Sequence, residues 1–408
     1  MSENYDFPPE LLEAPVEQRL EFFKNPGKTI MHRNLKQAFT DTYRLVRNHA
    51  GSTLILVIGP SGVGKSTLLA LLRRKILEVS LPQMESDLGW YPIICIEAPA
   101  IKAGFRWKPF YKEILLAVDE PCIENKIIYD EDCFRRNKDG KLIVPSRATE
   151  DSLRLAARKV CLYRKPYTIA VDEFEHIGIS ATNEEIEAHM HCAKSFINES
   201  KVPWTAFGTY EMLDFLELND QLSQRDRIIH FPRYLLELDE DVTEFKRILE
   251  QLLRRMPLKE TPALSRQLFE LCYIGCIGKI GTLINWLIDA YDLCLSESAS
   301  TLSLAHLEET IKPEFELAKM LDEAEKGETK LLKNKEKRKA FRIRIGFEGG
   351  EKDALDKSNN STTQQASDSS NKAASTPAGE TSSGNKNPKR NRPFKRSPKR
   401  DSVGDKPA

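Results

Sequence analysis

Four groups of residues in this chain of 408 have the types and spacing for phosphate chemistry. The first is Gly59-Pro60-Ser61-Gly62-Val63-Gly64-Lys65-Ser66, the pattern G-x-x-x-x-G-K-[ST] of a P-loop. Its glycines let backbone N–H groups close on phosphate oxygens, and a helix starting at its end adds the partial positive charge of its N-terminus. Lys65 is expected to reach the β- and γ-phosphates of ATP and Ser66 to place its hydroxyl on Mg2+, with Thr67 completing the binding segment. The second group is Asp172-Glu173, where Asp172 is the candidate Mg2+ ligand and Glu173 the candidate general base for an attacking water. The third is Gly208-Thr209. Thr209 is a candidate to sense the γ-phosphate or its water and, without excluding that, to cap the helix that begins at Tyr210. The fourth holds Arg225 and Arg227. An arginine there either reaches the nucleotide of a neighbouring subunit or pairs on the surface with Asp220 and Asp226.

Each group needs an element to present it. Thr53-Leu54-Ile55-Leu56-Val57-Ile58 is a short apolar run rich in β-branched residues, predicted as a buried strand, and Thr67 to Ile76 is predicted as a helix. Strand, glycine-rich loop and helix form the context the P-loop requires. Tyr167 to Val171 is an apolar strand that ends on the acidic pair, and Val202 to Gly208 is a strand that ends on Thr209. Tyr91 to Glu97 supplies a further strand. Helices are predicted over Val16–Lys24, 34–49, Trp107–Val118 and from Thr149-Glu150-Asp151-Ser152 to Leu162, with a charged loop or hairpin around Asn137–Lys141. The helix over 34–49 is expected to cover the adenine side. The later helices are placed at Val242–Leu253, Ala263–Leu271, Ile280–Leu295 and Leu304–Ala318.

Composition limits the function classes. Lys+Arg and Asp+Glu balance at 61 each, yet residues 329–408 carry 20 basic against 9 acidic side chains, which leaves residues 1–328 net acidic. A basic tail on an acidic globular part suits polyanions or an acidic partner. No run of eighteen apolar residues occurs, so no transmembrane helix is expected, and the acidic start shows no secretory signal. The eight cysteines form no disulfide-like framework, which with a P-loop suits reduced thiols and a cytoplasmic location. Cys272-x-x-x-Cys276 has no matching Cys/His pair, and His189 and His191 do not share a helix face, so no metal cluster is expected there.

Gly59–Ser66, Asp172-Glu173, Gly208-Thr209, and Gln221-Leu222-x-x-Arg225 with Phe231-Pro232-Arg233-Tyr234 together resemble the TniB/TnsC-type AAA+ ATPases of DNA transposition, relatives of the Mu B protein. The resemblance covers residues 30–320, and the Gln-Leu-x-x-Arg and Phe-Pro-Arg-Tyr block is its more family-specific part. It implies an α/β fold of the AAA+ P-loop type, a parallel sheet flanked by helices with a small C-terminal helical lid; composition adds a disordered basic tail. The division expected is an N-terminal arm (1–30), an ATPase core (31–236), a lid (237–325), a basic linker (326–352) and the tail (353–408). It also implies ATP-dependent assembly on duplex DNA as a ring or helical filament of this chain, and contact with a transposase and a target-selection protein. Arg225 takes the arginine-finger position, with Arg227 as a second choice. Lys279, near a lid helix start, is a sensor-2-like cation or, as the favoured reading, a solvated lysine.

Beyond Lys326 the chain turns basic. Lys330 to Arg344 is predicted as a helix end followed by a short strand, and residues 353–385 are rich in Ser, Thr, Asn, Ala and Gly. Residues 386–400 hold eight cations and no acid, suited to nonspecific phosphate contacts or to solubility alone. A competing function class is a nucleotide-switch signalling ATPase that acts on a protein partner without DNA. A small-molecule kinase is disfavoured by Glu173 and the lid.

Overall fold

The computed structural model describes residues 6–25, 29–48, 54–100, 104–126, 135–136, 138, 142–143, 147–217 and 226–344. The expectations for Gln221, Leu222 and Arg225 and for residues 345–408 lie outside these. The chain divides into two units, Met1–Phe341 and Arg342–Ala408. Of the second, the described residues are 342–344, the end of a long helix.

In chain order the elements begin with α1 (Val16–Lys24), α2 (Arg33–Arg47), β1 (Leu54–Ile58), α3 (Lys65–Ser86), β2 (Ile93–Glu97) and α4 (Trp107–Leu116). A two-residue ladder follows, β3 (Arg135–Arg136) with β4 (Leu142–Ile143). Then come α5 (Glu150–Arg164), β5 (Thr168–Asp172), α6 (Asn183–Ser200), β6 (Trp204–Gly208), α7 (Met212–Glu217) and β7 (Arg227–His230). The C-terminal helices are α8 (Asp239–Arg254), α9 (Arg266–Cys276), α10 (Ile280–Ser296), α11 (Leu304–Thr310) and α12 (Glu314–Arg344).

Five strands form one parallel sheet in the order β2-β5-β6-β1-β7. β1 is buried at every position because helices cover both faces. Its alternation divides the core: Leu54, Leu56 and Ile58 face a layer built from α4, α5 and α6, while Ile55 and Val57 face α2 and α3. Ile58 pairs with Gly208, and Val171 lies opposite Ala206, so β1, β5 and β6 end at one edge of the sheet. The chain leaves that edge as Gly59, Glu173 and Thr209. Parallel topology, fixed by the helical crossovers, thereby brings three distant motifs together.

Several helix starts carry their own fixing groups. Thr149 and Ser152 form a capping box on α5, and Thr182 and Glu185 form one on α6. α2 starts on His32, whose Nδ1 accepts the Leu35 N–H at 3.3 Å and lies 2.9 Å from the Tyr234 hydroxyl. Because Nδ1 already accepts from the backbone, Tyr234 is the donor to it.

The lid has its own core of Phe245, Leu249, Leu283, Leu287 and Tyr291, among others. Phe23 of α1 joins it, edge-on to Tyr291 with ring centroids 5.4 Å apart, so the N-terminal arm packs on the lid. Two expectations change here. The single helix placed over Leu304–Ala318 is two, because Pro313 lacks an N–H and biases its predecessor away from helix; α11 ends at Thr310 and α12 starts at Glu314. The short strand expected before Arg344 is instead the end of α12, a run rich in Lys, Glu, Leu and Ala with no proline.

Candidate nucleotide site

The P-loop leaves β1 and turns into α3. Gly62 and Gly64 have φ of 79° and 111°, a region side chains rarely enter, so these positions require glycine. Phe231 clamps the start of the loop. Its N–H donates to Ile58 O at 2.8 Å, and its carbonyl oxygen occupies the place a Cβ on Gly59 would take. The lid touches the loop as well, through Thr282 N–H donating to Gly62 O at 2.9 Å. Ser61, Ser66 and Thr67 are exposed, Pro60 and Val63 buried.

Lys65 is 8% exposed, and its Nζ donates to Gly59 O and Pro60 O, each at 3.1 Å. Burial lowers its pKa, against the opposing pull of Glu175, Glu173, Asp172 and Glu323. The lysine therefore folds back on its own loop with its charge met by carbonyl dipoles, a role that phosphate oxygens would fill more strongly.

Asp172 closes β5, half-buried, and accepts the Glu173 N–H on Oδ1 at 3.1 Å. Glu173 has φ 51°, a left-handed conformation that costs a non-glycine residue about 1 kcal/mol or more. This kink separates the two carboxylates: Asp172 stays with the strand, and Glu173 starts a 3-10 turn over Phe174–Gly178. Thr209 leaves the end of β6 half-buried. Its Oγ1 has no hydrogen-bond partner among the described residues, so the hydroxyl does not cap the following helix. Arg227 opens β7 and is exposed. Arg225 lies outside the described residues.

Lys279 corrects the favoured expectation of a solvated lysine. It is fully buried, precedes α10, and donates from Nζ to Met320 O of α12 at 3.2 Å. Burial lowers its pKa, while Glu323 pulls it up. Lysine at a tight turn reads as surface in a sequence because its α12 partner, Met320, lies 41 residues later. Two further participants also escaped the sequence. Glu323 acts on both Lys65 and Lys279 from α12. Arg233 of the Phe-Pro-Arg-Tyr block is locked to Glu328 by two bonds of 2.8 and 3.1 Å. A third, Glu175, lies buried in the 3-10 turn after β5 and carries no motif signal in the sequence.

Residues 47–216 match a family described as AAA domain. This segment is an AAA-type P-loop ATPase domain. The AAA domain contains the P-loop, the acidic pair and Thr209, and its P-loop makes the site a nucleotide site. No curated protein sequence matches the chain. Solved structures with partial likeness include the Aeropyrum pernix ORC2 protein in its ADP form, 14% identical, with 71% of each chain covered and a TM-score of 0.47. Drosophila ORC bound to DNA is 11% identical, covering 76% of this chain and 68% of that one, with a TM-score of 0.43. Domain III of the replication initiation protein DnaA from Thermotoga maritima is 13% identical, covering 72% and 98%, with a TM-score of 0.40.

Proposed function

We propose that this protein is an ATP-hydrolysing regulator of DNA transposition that assembles on target DNA and recruits or activates a transposase. The observation that carries the hydrolytic part is the meeting of Lys65, Asp172, Glu173 and Thr209 at one edge of the sheet. Lys65 binds the β- and γ-phosphates. Ser66, exposed at the head of α3, and Asp172 would hold Mg2+, which when bound would neutralise developing phosphate charge. Glu173, displaced from the strand by its kink, polarises the water, and the unpartnered Thr209 hydroxyl senses the γ-phosphate. Arg225 or Arg227 completes the site of a neighbouring copy.

The transposition part is supported by the resemblance described above and by the basic stretch after residue 329. The structure adds that Phe231-Pro232-Arg233-Tyr234 is not a surface motif. Phe231 clamps the P-loop, Arg233 binds α12 and Tyr234 holds the start of α2. A sequence block that links loop, lid and entry helix suits a protein whose assembly follows its nucleotide state.

The test is duplex DNA binding at low salt with ADP, ATP or no nucleotide. ATP should strengthen binding, Lys65→Ala should abolish that response, and Glu173→Gln should prolong it by slowing hydrolysis. ATP hydrolysis with no nucleotide-dependent DNA association would favour the switch acting on a protein partner.

A further inference from the structure

Glu175 belongs to none of the motifs and is the carboxylate with the largest influence on Lys65. It is 7% exposed in the 3-10 turn after β5, and its Oε1 accepts the Thr209 backbone N–H at 3.1 Å. Its Oε2 and the Thr209 Oγ1 are both buried, and neither has a hydrogen-bond partner among the described residues. The carboxyl fits there because residue 208 is glycine: a Cβ at that position would fall on Glu175 Oε2 and on Met212 Sδ. Burial pushes the Glu175 pKa up, and the Lys65 charge only partly opposes this.

A single strand-end N–H needs one acceptor, and an uncharged one would cost less to bury than a carboxylate. A buried carboxyl with one oxygen unused, beside a hydroxyl also unused, calls for a reason beyond folding. The bond to Thr209 supplies one. Glu173 stands at the end of β5 and Thr209 at the end of β6, on neighbouring strands, and Glu175 is the side chain that ties the turn after the first to the tip of the second.

We propose that Glu175 is a positioning residue for hydrolysis: it fixes the tip of β6 so that the Thr209 hydroxyl is presented to the γ-phosphate, and it acts through Thr209. This rests on the ATPase reading above. A misplacement near 1 Å at such a point is worth about 100-fold in rate, so its loss should be read in turnover and not in affinity.

The experiment measures steady-state ATP hydrolysis, ATP affinity and thermal unfolding on the full chain. The variants are Glu175→Ala, Glu175→Gln, Thr209→Ala and the double Glu175→Ala/Thr209→Ala. Glu175→Ala should lower kcat by about 10- to 100-fold with KM and Kd changed less than about threefold. Glu175→Gln keeps an oxygen for the Thr209 N–H and should recover most of that loss. The double variant should turn over no more slowly than Thr209→Ala alone, because the partner through which Glu175 acts is already gone. Multiplying losses in the double variant would overturn the inference, as would a Gln variant as slow as Ala, which would make the charge itself the active feature. If Glu175→Ala does not fold, Glu175→Asp replaces it in the cycle, since its shorter carboxyl withdraws from Thr209 and should show the same turnover loss. Normal hydrolysis with an indifferent Glu175→Ala would overturn this inference alone. Absence of hydrolysis and ATP binding in the unaltered chain would overturn the ATPase reading and this one with it.

Discussion

Removing Glu328 should destabilise the protein far more than an ordinary surface change. Glu328 on α12 grips Arg233 by two hydrogen bonds, with side-chain exposures of 16% and 8%. Burial alone would lower the arginine's pKa, but the bonds and charge of Glu328 outweigh it, and the net shift is upward. Glu328→Ala leaves Arg233 with only a 3.4 Å bond to Ile277 O beyond whatever water reaches it. An uncompensated buried charge costs about 3–5 kcal/mol, and the residual access of water favours the lower end, near 3. For a unit of 341 residues that corresponds to a fall in Tm of about 4 °C. Arg233→Met/Glu328→Leu, which fills the same space without charge, should return to within about 1 kcal/mol of the original. Thermal and urea unfolding of the three variants provide the assay. A loss under about 1 kcal/mol for Glu328→Ala would place the pair with exposed ion pairs and refute the reasoning. So would a double variant as unstable as the single one.

Three further outcomes are expected. Burial holds His32 near pKa 4 against an ordinary 6.5, so it is neutral when folded, and the unfolded chain takes up its proton first as pH falls. Its contribution is fully present above pH 6.5 and is lost between 6.5 and 4, a change of about 3 kcal/mol, and His32→Asn should flatten the stability–pH curve in that window; an unchanged slope would refute the assignment. Arg225→Ala and Glu173→Gln subunits should each hydrolyse slowly but recover activity when mixed, because some interfaces then carry both groups; absence of complementation would point to Arg227 or to no contribution in trans. Deleting residues 386–408 removes eight clustered cations, and if about four pair with phosphates, the slope of log K for DNA against log salt should flatten by 3 to 4 units; identical slopes would redirect the segment to a protein partner.

Much of the site was legible because its chemistry is carried by contiguous motifs, each at the end of an apolar strand. Thr53–Ser66, Tyr167–Glu173 and Val202–Thr209 announce strand and functional residue together, and parallel pairing does the rest. What stayed hidden depends on long-range packing. Lys279 looks like a surface cation until α12 covers it, and Arg233 gives no local hint of Glu328, ninety-five residues away. The break at Pro313 is marked by the proline itself, although the apolar spacing continues unbroken across it. For Thr209 the unpartnered hydroxyl removes the helix-cap reading alone, which the sequence could not do.

α12 also has a mechanical side. Near its middle it is pinned to the nucleotide domain, with Gly327 against the Tyr210 ring, Glu328 on Arg233 and Lys330 on Asp214. From Gly327 to Phe341 the helix runs on for about 21 Å at 1.5 Å per residue. That geometry is a lever arm with its fulcrum where α12 meets Tyr210, Arg233 and Asp214. A tilt of about 10° at the fulcrum would move the far end by about 4 Å. The arm carries Lys333, Lys335, Lys337, Arg338 and Lys339 in its sequence, so any such tilt would displace a block of positive charge.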